Sequence, residues 1–149
     1  MEYSVDPEDF VGYTVVRLAH VLSRKMDEVL APSGLNSRQF STLILLATTP
    51  DISGGALARL VLVTPQSMSE MIAGLVAAGL VKREGARTRG KAMPISLTRA
   101  GRRALGKAMP AVAELERACT AHLAPLEAKL LKRQLLGILE IMSPDSTAK

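Results

Sequence analysis

A mainly α-helical fold with a small two- or three-stranded β wing is predicted by three features of this 149-residue chain. Apolar residues recur at helical spacing along most of its length. Ser, Thr, Asn or Asp stands directly before several of these runs, where a helix cap belongs. The pattern breaks once, where Leu80–Glu84 and Met93–Leu97 read as two short strands around a glycine-punctuated tip.

The elements follow in order. Asp6-Pro7-Glu8-Asp9 starts the first helix: Asp6 caps, Pro7 suits the first turn, and the acids favour the positive dipole end. Val11, Val15, Leu18, Leu22, Met26 and Val29 form its apolar stripe, and Ala31-Pro32-Ser33-Gly34 stops it. Asn36-Ser37-Arg38-Gln39 has capping-box spacing and opens a second helix that buries Phe40, Leu43, Ile44 and Ala47. After the turn Thr49-Pro50-Asp51, Ser53 caps a short third helix through Val61, with Leu57 and Ala58 inward. Gly54 and Gly55 weaken its first turn by about 1 kcal/mol each relative to alanine. Leu62 and Val63 make a tight connection to a fourth helix, capped by Thr64 with Pro65 in its first turn. Met68, Met71, Ile72 and Leu75 form its inner stripe, which leaves Gln66, Ser67, Ser69, Glu70 and Ala73 outward until Gly79 ends it.

Gly85 to Ala92 is the basic tip between the strands. Pro94 has no ladder donor, so the second strand is expected at an edge, or Pro94 at a bulge. Thr98 caps a long fifth helix that Pro110 should kink. A last helix from about Pro125 carries Leu126, Leu130, Leu135, Ile138 and Met142.

Charge is unevenly placed along this chain. Between Lys82 and Lys107 lie Lys82, Arg83, Arg87, Arg89, Lys91, Arg99, Arg102, Arg103 and Lys107, opposed only by Glu84. That window carries +8, whereas the whole chain carries +5. Clustered Lys and Arg attract a polyanion. One cysteine excludes an internal disulfide framework and a multi-cysteine zinc site. The longest uncharged apolar stretch, Met71 to Val81, is too short to cross a bilayer, and the acidic start lacks the pattern of a signal peptide. A soluble cytoplasmic protein with no membrane partner is expected. No cofactor is expected, and no enzyme: there is no phosphate loop, metal-ligand set or nucleophile–base pair.

Two short helices with a turn, a helix with a polar outer face and a basic hairpin make a winged helix-turn-helix. The polar helix fits the major groove and its N-terminal side chains meet base edges, while the hairpin follows the backbone or the minor groove. The long N- and C-terminal helices are expected to form a dimerisation lobe, because two recognition helices must sit about 34 Å apart to read successive major grooves. The chain then divides into dimerisation helices at 1–34 and 105–149 and a DNA-binding lobe at 35–104. A different class of reading also fits the residues: a winged-helix protein-assembly module with no operator, its basic face on an acidic partner.

The sequence resembles the MarR family of bacterial transcription regulators. The residues concerned are Gly34-Leu35-Asn36-Ser37-Arg38-Gln39-Phe40, Leu57-Ala58, Val63-Thr64-Pro65-Gln66-Ser67-Met68, Gly79-Leu80-Val81, and Ile95-Ser96-Leu97-Thr98 followed by Gly101. The likeness covers nearly the whole chain, and its specificity lies in the order and spacing of these pieces. It implies a homodimer on a near-palindromic double-stranded operator, usually a repressor released by a small molecule or an oxidant. The candidate DNA contacts are Arg38, Thr64, Pro65, Gln66, Ser67, Ser69, Glu70, Ala73, Arg87, Arg89 and Lys91. Glu70 either accepts from a cytosine amino group or pairs with a neighbouring cation. The wing departs from most of the family: Arg87-Thr88-Arg89-Gly90-Lys91 lacks the acidic residue that orients a wing arginine, and Lys91 supplies a point charge instead of a planar fork.

By the same resemblance an effector lodges between the first, second and fifth helices. Tyr13, Arg17, His20 and Phe40 are the candidate lining, and Arg17 is placed to hold the carboxylate of an anionic or aromatic ligand or to pair with a nearby acid. Family members that sense peroxide carry a cysteine near the start of the first helix, where this chain has none. Cys119 is read as a buried, inert thiol and His20 and His122 as structural, since a metal site needs three or four ligands.

Overall fold

The computed structural model describes residues 6–84 and 94–143. Its chain order is a 3-10 turn at Pro7–Asp9, α1 (Val11–Leu30), a 3-10 turn at Ala31–Ser33, α2 (Ser37–Thr48), α3 (Gly54–Val61), α4 (Pro65–Ala77), β1 (Val81–Arg83), β2 (Ile95–Leu97), α5 (Arg99–Thr120) and α6 (Pro125–Met142). The strands pair antiparallel, Val81 opposite Leu97 and Arg83 opposite Ile95, as the base of a hairpin. The Glu84 amide donates to Pro94 O at 2.8 Å, so Pro94 sits just before the strand and contributes its carbonyl, the one ladder group it has.

Each expected cap is made. The Asn36 side chain accepts from Gln39 N at 2.9 Å and the Gln39 side chain accepts from Asn36 N at 3.1 Å. Ser53, Thr64 and Thr98 accept from the amides of Ala56, Ser67 and Gly101. Gly34 and Gly79 take positive φ at the helix ends they close. The N-terminus differs from expectation. Asp6 caps the 3-10 turn through Glu8 N, and Phe10 is extended, so α1 proper begins only at Val11. Helix α5 runs through Pro110 as one element.

The main core joins Leu30, Leu35, Phe40, Leu43, Leu75, Val81, Leu97, Leu105 and Ala108, drawing one residue from the end of α1 and two from α5. A second cluster of Ile52, Leu57, Ala58, Met68 and Ile72 fixes α3 on α4. The inner stripe of α4 is as expected, with Met68, Ile72 and Leu75 buried and Met71 half-buried. In α2 the expectation needs one correction: Ala47 is exposed, as are residues 48–50, because the last turn runs past the core edge. Thr42 is buried in its place, and its hydroxyl is satisfied by Arg38 O and contacts Met71 Sδ at 3.2 Å.

The first half of α1 and all of α6 lie outside this core. Phe10, Val11, Tyr13, Val16, Leu18 and Val21 are exposed around the first half of α1, and α6 has no buried residue at all. Leu126, Leu130, Leu131, Leu135, Leu136, Ile138, Ile141 and Met142 of α6 all face outward. Among the described residues no single helix is long and apolar enough to cross a membrane.

The start of α5 is stitched to the end of α4. The Thr98 hydroxyl donates to Gly79 O at 2.7 Å, and Thr98 N donates to Leu80 O at 3.0 Å. Gly101 is buried one turn on, where an added Cβ would fall on the Leu80 carbonyl oxygen. Backbone cannot move aside as a flexible side chain can. Gly101→Ala is therefore expected to lower stability by about 1–3 kcal/mol, read as a reduced thermal midpoint; an unchanged midpoint would show that this junction is loose.

Candidate nucleic-acid interface

Helices α3 and α4 meet at 107°, within the range of about 90–120° of helix-turn-helix pairs. The turn is short because Leu62 takes a left-handed conformation, and Val63 N then donates to Ala58 O at 3.0 Å. Thr64 caps the next helix at once. With Met68, Ile72 and Leu75 held in the core, the opposite face of α4 has to point outward. Thr64, Pro65, Gln66, Ser67, Ser69, Glu70 and Ala73 are accordingly all exposed.

The polar groups on this face are ordered among themselves. The Gln66 amide donates to Glu70 Oε1 at 3.2 Å, the Thr64 hydroxyl donates to Ser67 Oγ at 2.9 Å, and the Ser69 hydroxyl donates to Pro65 O at 2.9 Å. Ser69 thus turns its oxygen lone pairs outward as acceptors, and Gln66 keeps a free carbonyl oxygen and an N–H. Glu70 has Gln66 as its partner and forms no ion pair among the described residues. Arg38, from the first turn of α2, is exposed and shares an open concavity of about 490 Å³ with Leu62, Val63, Thr64 and Ser67. The structure therefore brings Arg38 to the N-terminal end of α4, where its cation and the positive end of the helix dipole favour a phosphate, although Pro65 has no N–H and the Ser67 amide is taken by the Thr64 cap.

Beside it stands the hairpin base. Lys82 pairs with Glu84, which also accepts from the Ser96 hydroxyl at 2.9 Å; these two donors hold the Glu84 carboxyl below the usual carboxylate range. Arg83, Arg99, Arg102, Arg103 and Lys107 are exposed and make no ion pair among the described residues. Arg87, Arg89 and Lys91 lie outside the described residues.

The expected effector residues separate into two settings. Tyr13, Arg17 and His20 are exposed on α1, where Arg17 lies 5.6 Å from the Tyr13 ring centroid and pairs with Glu8 at 3.1 Å. His20 Nδ1 donates to Val16 O at 2.8 Å. Phe40 is 7% exposed and belongs to the main core. Cys119 is half-buried.

One anchoring residue was not visible in the sequence. Asp27, in the last turns of α1, accepts from Ser37 N at 2.7 Å and so closes the open N-terminus of α2 next to Arg38. Ser37 N–H, then the Ser37 side chain, and the Arg38 charge hold the Asp27 carboxyl below its ordinary value. The two residues are ten apart in sequence, so no local pattern announces the bond.

A turn-linked pair of helices, an exposed polar second helix and an adjoining antiparallel hairpin define a winged helix-turn-helix DNA-binding protein. The chain belongs to the MarR family. The model described as MarR family matches residues 33–92. HTH-type transcriptional repressor Rv2887 of Mycobacterium tuberculosis is 32% identical over 125 residues, covering 84% of this chain and 90% of that protein. Two solved structures of the Mycobacterium tuberculosis MarR family protein Rv2887 are also similar. Its complex with salicylic acid has a TM-score of 0.69 at 31% identity, covering 87% of this chain and 96% of that one. Its complex with DNA has a TM-score of 0.67 at 29% identity, over 87% and 97%.

The Asp27 bond gives a pH signature. A carboxyl depressed in the folded state stabilises fully above its unfolded value of about 3.9 and loses that contribution as pH falls through the folded value. Asp27→Asn should therefore lower the thermal midpoint at neutral pH, with the gap to wild type closing below about pH 3.9. A gap that is the same at both pH values would mean that the charge is not what matters.

Proposed function

We propose that this protein is a cytoplasmic, homodimeric transcriptional repressor that binds a near-palindromic DNA operator and is released by a small anionic or aromatic ligand. The observation that carries the reading is the exposed face of α4, polar at its N-terminal end and held outward by an apolar rear in which Met68, Ile72 and Leu75 are buried. Rv2887, a relative by sequence and fold, is a repressor with a structure in complex with DNA, which supports the same role here. The protein binds its ligands and does no chemistry on them.

In this reading Arg38 and the α4 N-terminus hold phosphates, while Gln66, Ser67, Ser69 and Glu70 face base edges from α4, flanked by Thr64, Pro65 and Ala73. Arg87, Arg89 and Lys91 add cations from the wing. Residues 35–104 form the DNA-binding lobe, and residues 1–34 and 105–149 pair with a second copy through the apolar faces of α1 and α6. For the ligand, Tyr13 and Arg17 are the best-placed pair, a ring and a cation within reach of each other; a carboxylate there would take over Arg17 from Glu8. The complex of Rv2887 with salicylic acid, an aromatic carboxylate, supports that class.

Three outcomes follow. Phosphate contacts should give a log–log salt dependence whose slope falls by about 0.9 for each contact removed, so the double substitution Arg89→Ala, Lys91→Ala flattens it on every duplex alike; an unaltered slope removes the wing from the interface. Gln66→Ala should cost about 1–3 kcal/mol at one base position when operators are compared, and equal affinities across all positions would refute base contact there. Leu131→Glu combined with Leu135→Glu should yield monomers in sedimentation and abolish operator binding together, whereas an intact dimer would place the interface elsewhere.

A further inference from the structure

Packing among the described residues does not account for a leucine at position 62. Leu62 closes α3 with φ 57° and ψ 47°, and its amide donates back to Arg59 O at 3.2 Å. This left-handed conformation brings Cβ against the following carbonyl, so glycine is the residue it favours. Gly34 and Gly79 fill the equivalent positions at other helix ends, with φ 72° and 69°. Among the described residues only one other non-glycine residue has positive φ, Asp51, of a type that tolerates it. Burial does not compensate Leu62 either. Its side chain is 62% exposed, and between residues 35 and 104 only Val76 joins it among the exposed large apolar residues described.

What Leu62 does have is a place. It lines the same concavity as Arg38, Thr64 and Ser67, at the end of the exposed face of α4. A phosphate strand passing Arg38 presents the carbon face of its deoxyribose rings between one phosphate and the next. An apolar side chain on that path loses water against the sugar, whereas glycine would leave a gap.

We infer that Leu62 is a DNA-contacting residue whose side chain packs on the deoxyribose face of the strand held by Arg38, and that this contact maintains a strained leucine in the turn. The inference rests on the DNA-binding reading above. It adds an apolar, sequence-independent contact to an interface otherwise read as polar and charged.

The test compares Leu62→Gly, Leu62→Ala and Leu62→Met with wild type, by thermal midpoint and by binding to two duplexes. One duplex is selected from random sequence by the wild-type protein, and the other is unrelated. Leu62→Gly is expected to raise the midpoint by about 2–4 °C and to weaken binding to both duplexes about tenfold. Leu62→Ala, which keeps Cβ, should weaken binding equally without the gain in midpoint, and Leu62→Met should bind within about twofold of wild type. If wild type binds and the glycine and alanine variants bind as well as it does, the contact is refuted while the DNA-binding reading stands. A loss confined to Leu62→Gly would assign the effect to turn stiffness and refute the contact. A loss confined to the selected duplex and removed by replacing its thymines with uracils would move the contact to a base methyl and overturn the sugar assignment. Wild type that binds neither duplex would overturn both readings.

Discussion

An 18-residue helix that buries none of its side chains is not self-sufficient in water, and α6 is such a helix. Its exposed leucines and two isoleucines, with the exposed apolar residues around the first half of α1, form far more uncovered apolar surface than scattered single exposures would. Every other property proposed for the molecule depends on what covers them. In the proposed homodimer a second copy does so with the same surface, and two-fold pairing then fixes the distance between two α4 helices. One recognition helix has a short polar face with few base contacts. Two at a fixed spacing of about 34 Å read a palindrome, which is where the affinity and selectivity of such a protein arise.

The same arrangement explains how a ligand could act at a distance. The main core takes Leu30 from α1 and Leu105 and Ala108 from α5 into contact with Leu75 of α4 and Val81 of β1. Asp27 adds a polar tie from α1 to the first turn of α2. Helix α4 and strand β1 therefore share one core with the C-terminal end of α1 and the first half of α5, so in the proposed dimer a change of angle between paired α1 and α5 helices would carry α4 with it. A ligand near Tyr13 and Arg17 shifts that equilibrium only by its difference in affinity for the two spacings. Arg17 already has Glu8, so a ligand must offer a better partner than an exposed carboxylate.

The sequence disclosed those features whose causes are local. Asn36, Ser53, Thr64 and Thr98 cap the helices they precede because a cap is a bond across three residues, and Gly34 and Gly79 end helices because φ is a property of one residue. The exposed face of α4 followed from the period of Met68, Met71, Ile72 and Leu75. Features set by tertiary packing were not readable. Ala47 lies on the apolar side of its helix but beyond the core edge, while Thr42 is buried because Arg38 O satisfies its hydroxyl. The extended Phe10 and the bond from Asp27 to Ser37 likewise depend on neighbours that no short motif brings together. Among the candidate site residues, Arg38 lies at the N-terminal end of α4, Phe40 is in the core, and Tyr13, Arg17 and His20 are at the surface, placements that depend on packing between elements and not on any local pattern. Leu62 could be seen as part of a connection but not as strained, since a leucine gives no local sign of the left-handed backbone that it adopts.

The most direct test of the paired reading is a hydroxyl-radical footprint on a selected operator, with the mass of the complex measured alongside. Two protected half-sites on one face of the duplex, centred about one helical turn apart in a complex of two chains, are the predicted result. A single protected half-site, or one chain per duplex at saturation, would contradict it.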